Sequence, residues 1–138
     1  MSEQEMLSVY HELFDDAKRE DIEHFNSHLD ANVRWHEPKG SPTTQQTGQQ
    51  GEYRSPKEVK KHINKFFNLF KLKDVRFKEE FVVEGNKVIS FGSTELESKE
   101  THKTGNIDFA CECTFKGDKI NDFRMYRDTA IEQSLLRQ

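Results

Sequence analysis

The last third of the chain contains two long runs in which apolar and polar residues alternate, and this pattern constrains the fold more than any other. The two runs flank Lys116, Gly117, Asp118 and Lys119, a sequence typical of a tight turn between antiparallel strands. Alternation with a period of two places alternate side chains on opposite faces of a strand. Residues 104–130 therefore predict a long hairpin with one apolar face.

Three helices are predicted in the first half of the chain. Apolar residues recur at helical spacing over residues 3–18 and over residues 20–29, which predicts two amphipathic helices. Ser55 followed by Pro56 is typical of the start of a helix, because a serine caps the first turn and proline fits its first position. The third helix is expected to span residues 56–70.

The remaining alternating segments predict a sheet. A short strand is expected at residues 32–37, and four longer strands at residues 75–83, 87–97, 101–115 and 119–128. Helices that precede a mostly antiparallel sheet define an α+β fold. With 138 residues, the chain is expected to form a single domain over residues 1–138.

Residues 39–55 interrupt these patterns. The segment is rich in Gly, Gln and Thr and has few apolar residues, which predicts a mobile polar loop at the surface. A loop of this length is either a lid over a binding site or an inert insert, and the composition fits both.

Charge and apolar content restrict the possible partners. The net charge is -4, and the lysines are interspersed with acidic residues, so no nucleic-acid partner is expected. The first twenty residues contain no apolar run, which predicts no secretory signal, no membrane association and a cytoplasmic location.

The predicted helices and the final hairpin, which ends in Tyr126, Arg127, Asp128 and Thr129, resemble the nuclear transport factor 2-like superfamily. Within it, they are similar to the SnoaL-like and ketosteroid-isomerase-like branches, and the resemblance covers the chain from end to end. It implies a cone-shaped domain in which a curved, mostly antiparallel sheet wraps around a long helix, with two further N-terminal helices. It also implies a pocket for a small molecule.

The sequence Trp35-His36-Glu37-Pro38 at the end of the first strand contains the main candidate for catalysis. Alternation places Trp35 and Glu37 on one face of the strand. A carboxylate among aromatic side chains has its charged form disfavoured, so the pKa of Glu37 is expected to be raised and the group to act as a general base. Ketosteroid isomerases have their base in a carboxylate-proline sequence at this place, and the resemblance implies the same role for Glu37. The structural alternative is a solvated turn residue.

The resemblance suggests further site residues. The isomerases hold an enolate oxygen with a tyrosine of the first helix, which Tyr10 matches, and His62 is a second candidate partner for Glu37. Alignment with these families on the final hairpin places the position of the isomerase acid near Cys111. It places the positions of the cyclase acid and histidine at Phe123 and Met125. We expect these positions and other apolar residues to bind the ligand; the full set is Trp35, Phe14, Phe66, Phe67, Phe109, Cys111, Phe123 and Met125.

Metal and cofactor sites are not predicted. His24 and His28 are four residues apart on a predicted helix, a spacing that places two imidazoles within reach of one metal ion. No carboxylate or cysteine completes the set in the sequence, so surface histidines are the favoured interpretation. No Gly-rich phosphate loop, nucleophile elbow or zinc motif is present, and no cofactor is expected.

Two functions from different classes follow. The first is an enzyme of the isomerase, cyclase or lyase type that transfers protons on a small hydrophobic molecule, with Glu37 as the base. The second is a non-catalytic ligand-binding or dimerisation module of the same fold. A second polar group facing Glu37 across the pocket would favour the enzyme. A homodimer is expected in both cases, because one layer of helices covers only one face of the sheet.

Overall fold

The computed structural model describes residues 1–47 and 50–138. The described part contains five helices and six strands, and it confirms the α+β class. In chain order they are α1 (Glu3–Arg19), α2 (Ile22–Ser27), β1 (Leu29–His36), α3 (Pro42–Thr47), β2 (Glu52–Tyr53), α4 (Pro56–Leu69), β3 (Phe70–Val83), β4 (Lys87–Ser98), β5 (Thr104–Lys116), β6 (Lys119–Arg127) and α5 (Thr129–Ser134).

The two long helices begin where the sequence predicts. At the start of α1, the Glu5 backbone N–H donates to Ser2 Oγ, and the Ser2 N–H donates to Glu5 Oε1, at 3.1 and 3.2 Å. This reciprocal pair satisfies two donors that the helix itself leaves free. At the start of α4, Ser55 Oγ accepts from the Glu58 N–H at 3.1 Å, and Pro56 is the first helical residue.

The six strands form one sheet in the order β2-β1-β6-β5-β4-β3. Strands β1 and β6 run parallel, and all the other neighbouring pairs are antiparallel. The sheet is therefore mostly antiparallel, as predicted. Helices α1, α2 and α4 pack with strands β1, β5 and β6 around the larger of two buried apolar clusters.

Strand β3 begins earlier than the alternating pattern predicts. The prediction placed its start at residue 75, whereas Phe70 already pairs with Ser98 and Leu72 with Leu96. Both apolar side chains are buried in the second cluster, with Ile107 on β5. The preceding helical pattern includes Phe70, so sequence periodicity assigns this residue to the wrong element.

The described part of residues 39–55 contains regular structure, which the prediction of a mobile polar loop at the surface did not include. It includes α3 and β2, and Ser41, Thr43 and Tyr53 are buried. Tyr53 pairs with Trp35 of β1, and its ring stacks on His62 at 4.4 Å. One aromatic anchor and one strand pairing thus fix a segment of polar composition. Gly48 and Gln49 lie outside the described residues.

None of the described helices combines the length with the apolar content needed to cross a membrane.

The outer face of the sheet leaves three aromatic side chains exposed: Phe81, Phe91 and Tyr126. Phe91 on β4 pairs with Ala110 on β5, and Ala110 pairs with Tyr126 on β6. These residues form a row across three strands on the side opposite the buried core.

Candidate functional site

A cavity of about 90 Å³ lies between the helices and the inner face of the sheet. Helices α1, α2 and α4 and five of the strands contribute to its walls, which are mainly apolar. Seven of the eight residues predicted to bind a ligand line it: Trp35, Phe14, Phe66, Phe67, Phe109, Phe123 and Met125. Their positions match the prediction, and their role in binding stays a proposal.

Two predicted site residues lie elsewhere. The Tyr10 hydroxyl is buried and hydrogen bonds to Ser90 on β4, because α1 presents Leu13, Phe14 and Ala17 to the cavity instead. Cys111 is buried beside Tyr10, outside the cavity lining, and burial raises the pKa of both groups. The expected place of Tyr10 beside Glu37, and that of Cys111 in the cavity wall, are therefore corrected.

The backbone at Glu37 is held by a glycine. Glu37 follows the end of β1, and its N–H donates to the carbonyl oxygen of Gly51 at 2.8 Å. Gly51 has a φ of +85°, and a Cβ there would lie 2.2 Å from the carbonyl oxygen of Glu37. Any other residue would push the two segments apart. This close approach fixes the direction in which Glu37 leaves the strand.

Three side chains surround the Glu37 carboxylate, which lines the cavity with only 6% of its side chain exposed. Trp35 Nε1 donates to Oε1 at 2.9 Å, and Arg127 Nη1 donates to Oε2. His62 Nε2 lies 3.5 Å from Oε1. Both carboxylate oxygens therefore have a polar partner that also belongs to the cavity wall.

The pKa of Glu37 is lowered, not raised as the sequence predicted. Burial alone would raise it, but the Arg127 guanidinium and the His62 ring outweigh burial and bring the pKa to about 2, below the ordinary 4.5. The prediction considered only the aromatic neighbours, whose effect is desolvation. A buried cation in contact reverses the sign. Glu37 is therefore an ionised carboxylate at neutral pH.

Arg127 connects Glu37 to a second buried carboxylate. Its Nε and Nη2 donate to the two oxygens of Glu132 at 3.3 and 3.1 Å, and Nη2 also donates to Ser41 Oγ at 3.1 Å. Burial would lower the pKa of Arg127, but Glu37 and Glu132 raise it. Helix α5 and the segment before α3 are thereby tied to this end of the cavity.

Sequence reasoning missed Arg127, Glu132 and Ser41, although a signal for the first was present. Phe123, Met125 and Arg127 alternate along β6 and share its inner face, and all three line the cavity. The residues between them, Arg124 and Tyr126, belong to the other face of the strand. Structurally, Arg124 pairs with Asp122 next to it on the same strand.

His62 is buried in the cavity wall between an aromatic ring and a carboxylate. Its ring stacks on Tyr53, and Nε2 faces Glu37. Nδ1 has no hydrogen-bond partner among the described residues. Of the three residues predicted to be catalytic, the structure brings Glu37 and His62 together and leaves Tyr10 apart.

The sequence of the SnoaL-like domain family matches this chain over residues 10–123. The chain belongs to the SnoaL-like domain family. This match confirms the predicted resemblance to the SnoaL-like branch. No curated protein matches the sequence significantly.

Solved structures share the fold of this SnoaL-like chain at low sequence identity. A nuclear transport factor 2-like protein from Burkholderia xenovorans is 22% identical, with a TM-score of 0.75 and 99% of each chain covered. A proposed isomerase from Bacillus subtilis is 12% identical, with a TM-score of 0.81 and 96% of this chain and 92% of that chain covered. A proposed SnoaL-like polyketide cyclase from Shewanella denitrificans is 9% identical, with a TM-score of 0.73 and 96% and 98% covered.

The cavity of this SnoaL-like domain combines apolar walls with one polar end. Glu37 supplies an anionic acceptor, Arg127 a cationic donor, and His62 an imidazole that contacts the carboxylate. Apolar walls with a few convergent polar groups are typical of sites for small molecules. The polar groups are fixed by their mutual contacts before any ligand arrives.

Proposed function

We propose that this SnoaL-like domain binds a small apolar molecule, with its polar substituent directed toward Glu37, His62 and Arg127. One observation carries the proposal: aromatic walls from helices and sheet end at a buried cluster of ion-paired groups. An apolar ligand gains about 0.8 kcal/mol for each buried CH₂ group. The polar end determines which way round it binds.

The size of the cavity narrows the class of ligand. Its volume of about 90 Å³ is below the ~300–1,000 Å³ of pockets that take drug-sized ligands. It is closer to the engineered cavity of ~150 Å³ that admits benzene. A single ring with few substituents is therefore the proposed occupant, and a larger ligand requires the side chains of the cavity wall to move.

A cavity-filling substitution tests this proposal. Ala17 lines the cavity on α1, so Ala17→Leu adds three carbon atoms where the ligand would lie. Ala31 is exposed on β1, and Ala31→Leu is the matched control. Toluene is the probe, titrated by calorimetry and by the shift in thermal unfolding temperature. We expect binding by the parent protein and by Ala31→Leu, and at least tenfold weaker binding by Ala17→Leu.

The outcome is decisive in either direction. Equal affinity in both variants places the toluene outside the cavity and contradicts the proposal. Failure of the parent protein to bind both toluene and phenol, a single ring that has a polar substituent, contradicts it as well. Circular dichroism of Ala17→Leu checks that the variant is folded.

Proton transfer is a second candidate function, favoured by the convergence of His62 and Arg127 on Glu37. Enzymes that abstract a proton next to a carbonyl need a base and a donor for the developing oxyanion. Here Glu37 would accept the proton, the C–H electron pair would form the C=C bond of an enolate, and the carbonyl π pair would move to the oxygen, which Arg127 or His62 would stabilise. Its lowered pKa makes Glu37 a weak base, so binding stands first. The proposed isomerase and polyketide cyclase among the structural neighbours support this second candidate.

Deuterium exchange tests the second candidate without knowledge of the substrate. Cyclohexanone is incubated with the protein in D₂O, and incorporation at the carbon next to the carbonyl is followed by NMR. We expect exchange above the buffer rate with the parent protein, none with Glu37→Gln, and a reduced rate with Glu37→Asp. Exchange that persists in Glu37→Gln would exclude Glu37 as the base.

We also propose that the protein forms a homodimer through the outer face of the sheet. Phe91 and Tyr126 are exposed on this face and both pair with Ala110, which lies between them on β5. This exposed aromatic row supports the arrangement. Light scattering at micromolar concentration should give twice the monomer mass, and Phe91→Glu should give the monomer. Lys57→Glu on α4 is the control. A monomeric parent protein would contradict the proposal.

A further inference from the structure

The corner between α1 and α2 contains a group of histidines and carboxylates outside the cavity. The sequence places His24 and His28 at a spacing that suits one metal ion, but it shows no third ligand. The fold supplies carboxylates from α1, because Glu12 and Asp16 lie on the face of that helix against α2. Tertiary structure thus adds carboxylates to the two histidines, which the sequence spacing alone does not reveal.

Asp16 orients both imidazole rings. Its side chain is fully buried, and its two oxygens lie 2.9 and 2.8 Å from Nδ1 of His24. His28 Nε2 lies 3.0 Å from the same carboxylate. In metal sites, a histidine ligand commonly donates the N–H of its other nitrogen to a carboxylate, which fixes the ring and makes it a better ligand. Asp16 is placed to do this for His24, which contacts it through Nδ1, and the same carboxylate also contacts His28.

The second ring nitrogen of His24, Nε2, does not contact Asp16 but faces the carboxylate of Glu12. His24 Nε2 is 3.3 Å from Glu12 Oε1. One nitrogen of each histidine and one Glu12 oxygen all lie within 4.8 Å of one another. Tetrahedral zinc bonds of about 2.0–2.1 Å place ligand atoms roughly 3.3–3.4 Å apart. The three groups need only small side-chain movements to reach this spacing.

We propose that His24, His28 and Glu12 bind a divalent transition-metal ion of the zinc, cobalt or nickel class, with Asp16 behind the histidines as the orienting carboxylate. Imidazole nitrogens with one carboxylate suit these ions, whereas calcium and magnesium prefer oxygen ligands. About half of the His24 and Glu12 side chains is exposed, so an ion can enter from solvent. None of the three residues lines the cavity, and the proposal does not depend on the proposed function.

Protons compete with the ion at this site. The hydrogen bond to Asp16 raises the pKa of His24, and the charges of Asp16, Glu12 and Asp21 act in the same direction. Arg19, the cation that faces this group, bonds to Asp16. A metal ion has to displace the imidazole proton, so its affinity should increase with pH.

Cobalt absorption spectroscopy tests the site on the full chain. Co²⁺ is titrated into the parent protein, and the visible ligand-field bands report coordination by nitrogen and oxygen. We expect saturation at one equivalent, stronger binding at higher pH, and loss of the bands when Zn²⁺ is added. His24→Gln, His28→Gln and Glu12→Gln should each weaken binding at least tenfold.

His102→Gln is the matched control, because His102 also faces a carboxylate, Glu97 at 3.4 Å, but belongs to no group of three ligands among the described residues. It should bind Co²⁺ like the parent protein. Binding that is unchanged by His24→Gln and His28→Gln, or equally weakened by His102→Gln, overturns the proposal. Absence of ligand-field bands at millimolar Co²⁺ overturns it too. Glu12→Gln keeps the test informative if a histidine variant fails to fold, since Glu12 is half-exposed.

Discussion

Two carboxylates, Glu37 and Asp16, are each held by an arginine and at least one histidine, yet their surroundings differ. Around Glu37 the partners are buried: the Arg127 side chain is 9% exposed and His62 is 1% exposed. Around Asp16, which is itself fully buried, the Arg19 side chain is 61% exposed. Similar residue types therefore form a closed cluster around Glu37, with His62 and Arg127, and an open cluster around Asp16, with Arg19 and His24.

The exposure of the cation decides how strongly each pair is coupled. A charge pair that water can reach is screened, and it contributes about 0–1 kcal/mol to stability. Removing one member of a buried pair leaves an uncompensated charge and costs about 3–5 kcal/mol. The closed cluster is expected to be rigid and intolerant of substitution. The open cluster can exchange a proton or a partner, which agrees with the metal ion proposed there.

The largest difference in stability between the two clusters is expected when the arginine of each cluster is removed in turn. Arg127→Met leaves Glu37 and Glu132 buried without their cation, and the free energy of unfolding should fall by about 3–5 kcal/mol. Arg19→Met is the matched change at the exposed pair and should lower it by about 1 kcal/mol or less. Urea denaturation at neutral pH measures both.

Arg127→Lys refines this test. Lysine keeps the charge but lacks the planar fork that bonds to both oxygens of Glu132, so an intermediate loss is expected. Equal losses in Arg127→Met and Arg19→Met would contradict the distinction between a closed and an open cluster.

The second effect is the response of stability to acid. The folded-state pKa of Glu37 is about 2, below its ordinary 4.5. Its ionised form therefore stabilises the fold fully above about pH 4.5, and this contribution is lost as pH falls toward 2. At about 1.4 kcal/mol per pKa unit, it is on the order of 3 kcal/mol.

Unfolding measured in urea between pH 7 and pH 3 checks this response. Glu37→Gln should show a shallower loss of stability on the acid side, because the variant has no carboxyl group to titrate there. Glu100→Gln, at an exposed carboxylate in the turn between β4 and β5, should follow the slope of the parent protein. Parallel curves for Glu37→Gln and the parent protein would show that Glu37 is not the group responsible.

The closed cluster was the part of the site that the sequence revealed least. Alternation along β1 correctly placed Trp35 and Glu37 on the cavity side, because period-two patterns report faces. The same alternation along β6 gives Arg127 that face, but the prediction did not use it, and arginine is mostly exposed in proteins. Contact with Glu132 depends on α5, whose position follows from tertiary packing.

The fold itself was predictable where one local signal dominates. Helix caps at Ser2 and Ser55 and the hairpin turn at Gly117 are local features, and the structure contains all three. Strand β2 depends on the pairing of Tyr53 with Trp35, a contact between residues 18 positions apart. No periodicity within a two-residue strand can indicate such a pairing.

A third, smaller loss of stability is expected when the hydrogen bond from Trp35 to Glu37 is removed. Trp35→Phe removes the 2.9 Å hydrogen bond and keeps an aromatic ring to stack on Phe123, whose centroid lies 3.8 Å away. A hydrogen bond to a charged group contributes about 1.5–3 kcal/mol. Arg127 remains bonded to the carboxylate, so we expect a loss near the lower end of this range. Unchanged stability in urea would show that the carboxylate of Glu37 finds another donor.

The smallest effect is the dependence on salt concentration of the stability losses caused by Arg19→Met and Arg127→Met. At about 1 M salt the screening length is ~3 Å, which weakens interactions between charges that solvent reaches. The difference in unfolding free energy between the parent protein and Arg19→Met should therefore shrink toward zero. The difference for Arg127→Met should persist, since protein atoms and not solvent surround that guanidinium. If the Arg127→Met difference shrank as well, ions would have access to the cluster, and the cavity end formed by Glu37, His62 and Arg127 would be open to solvent.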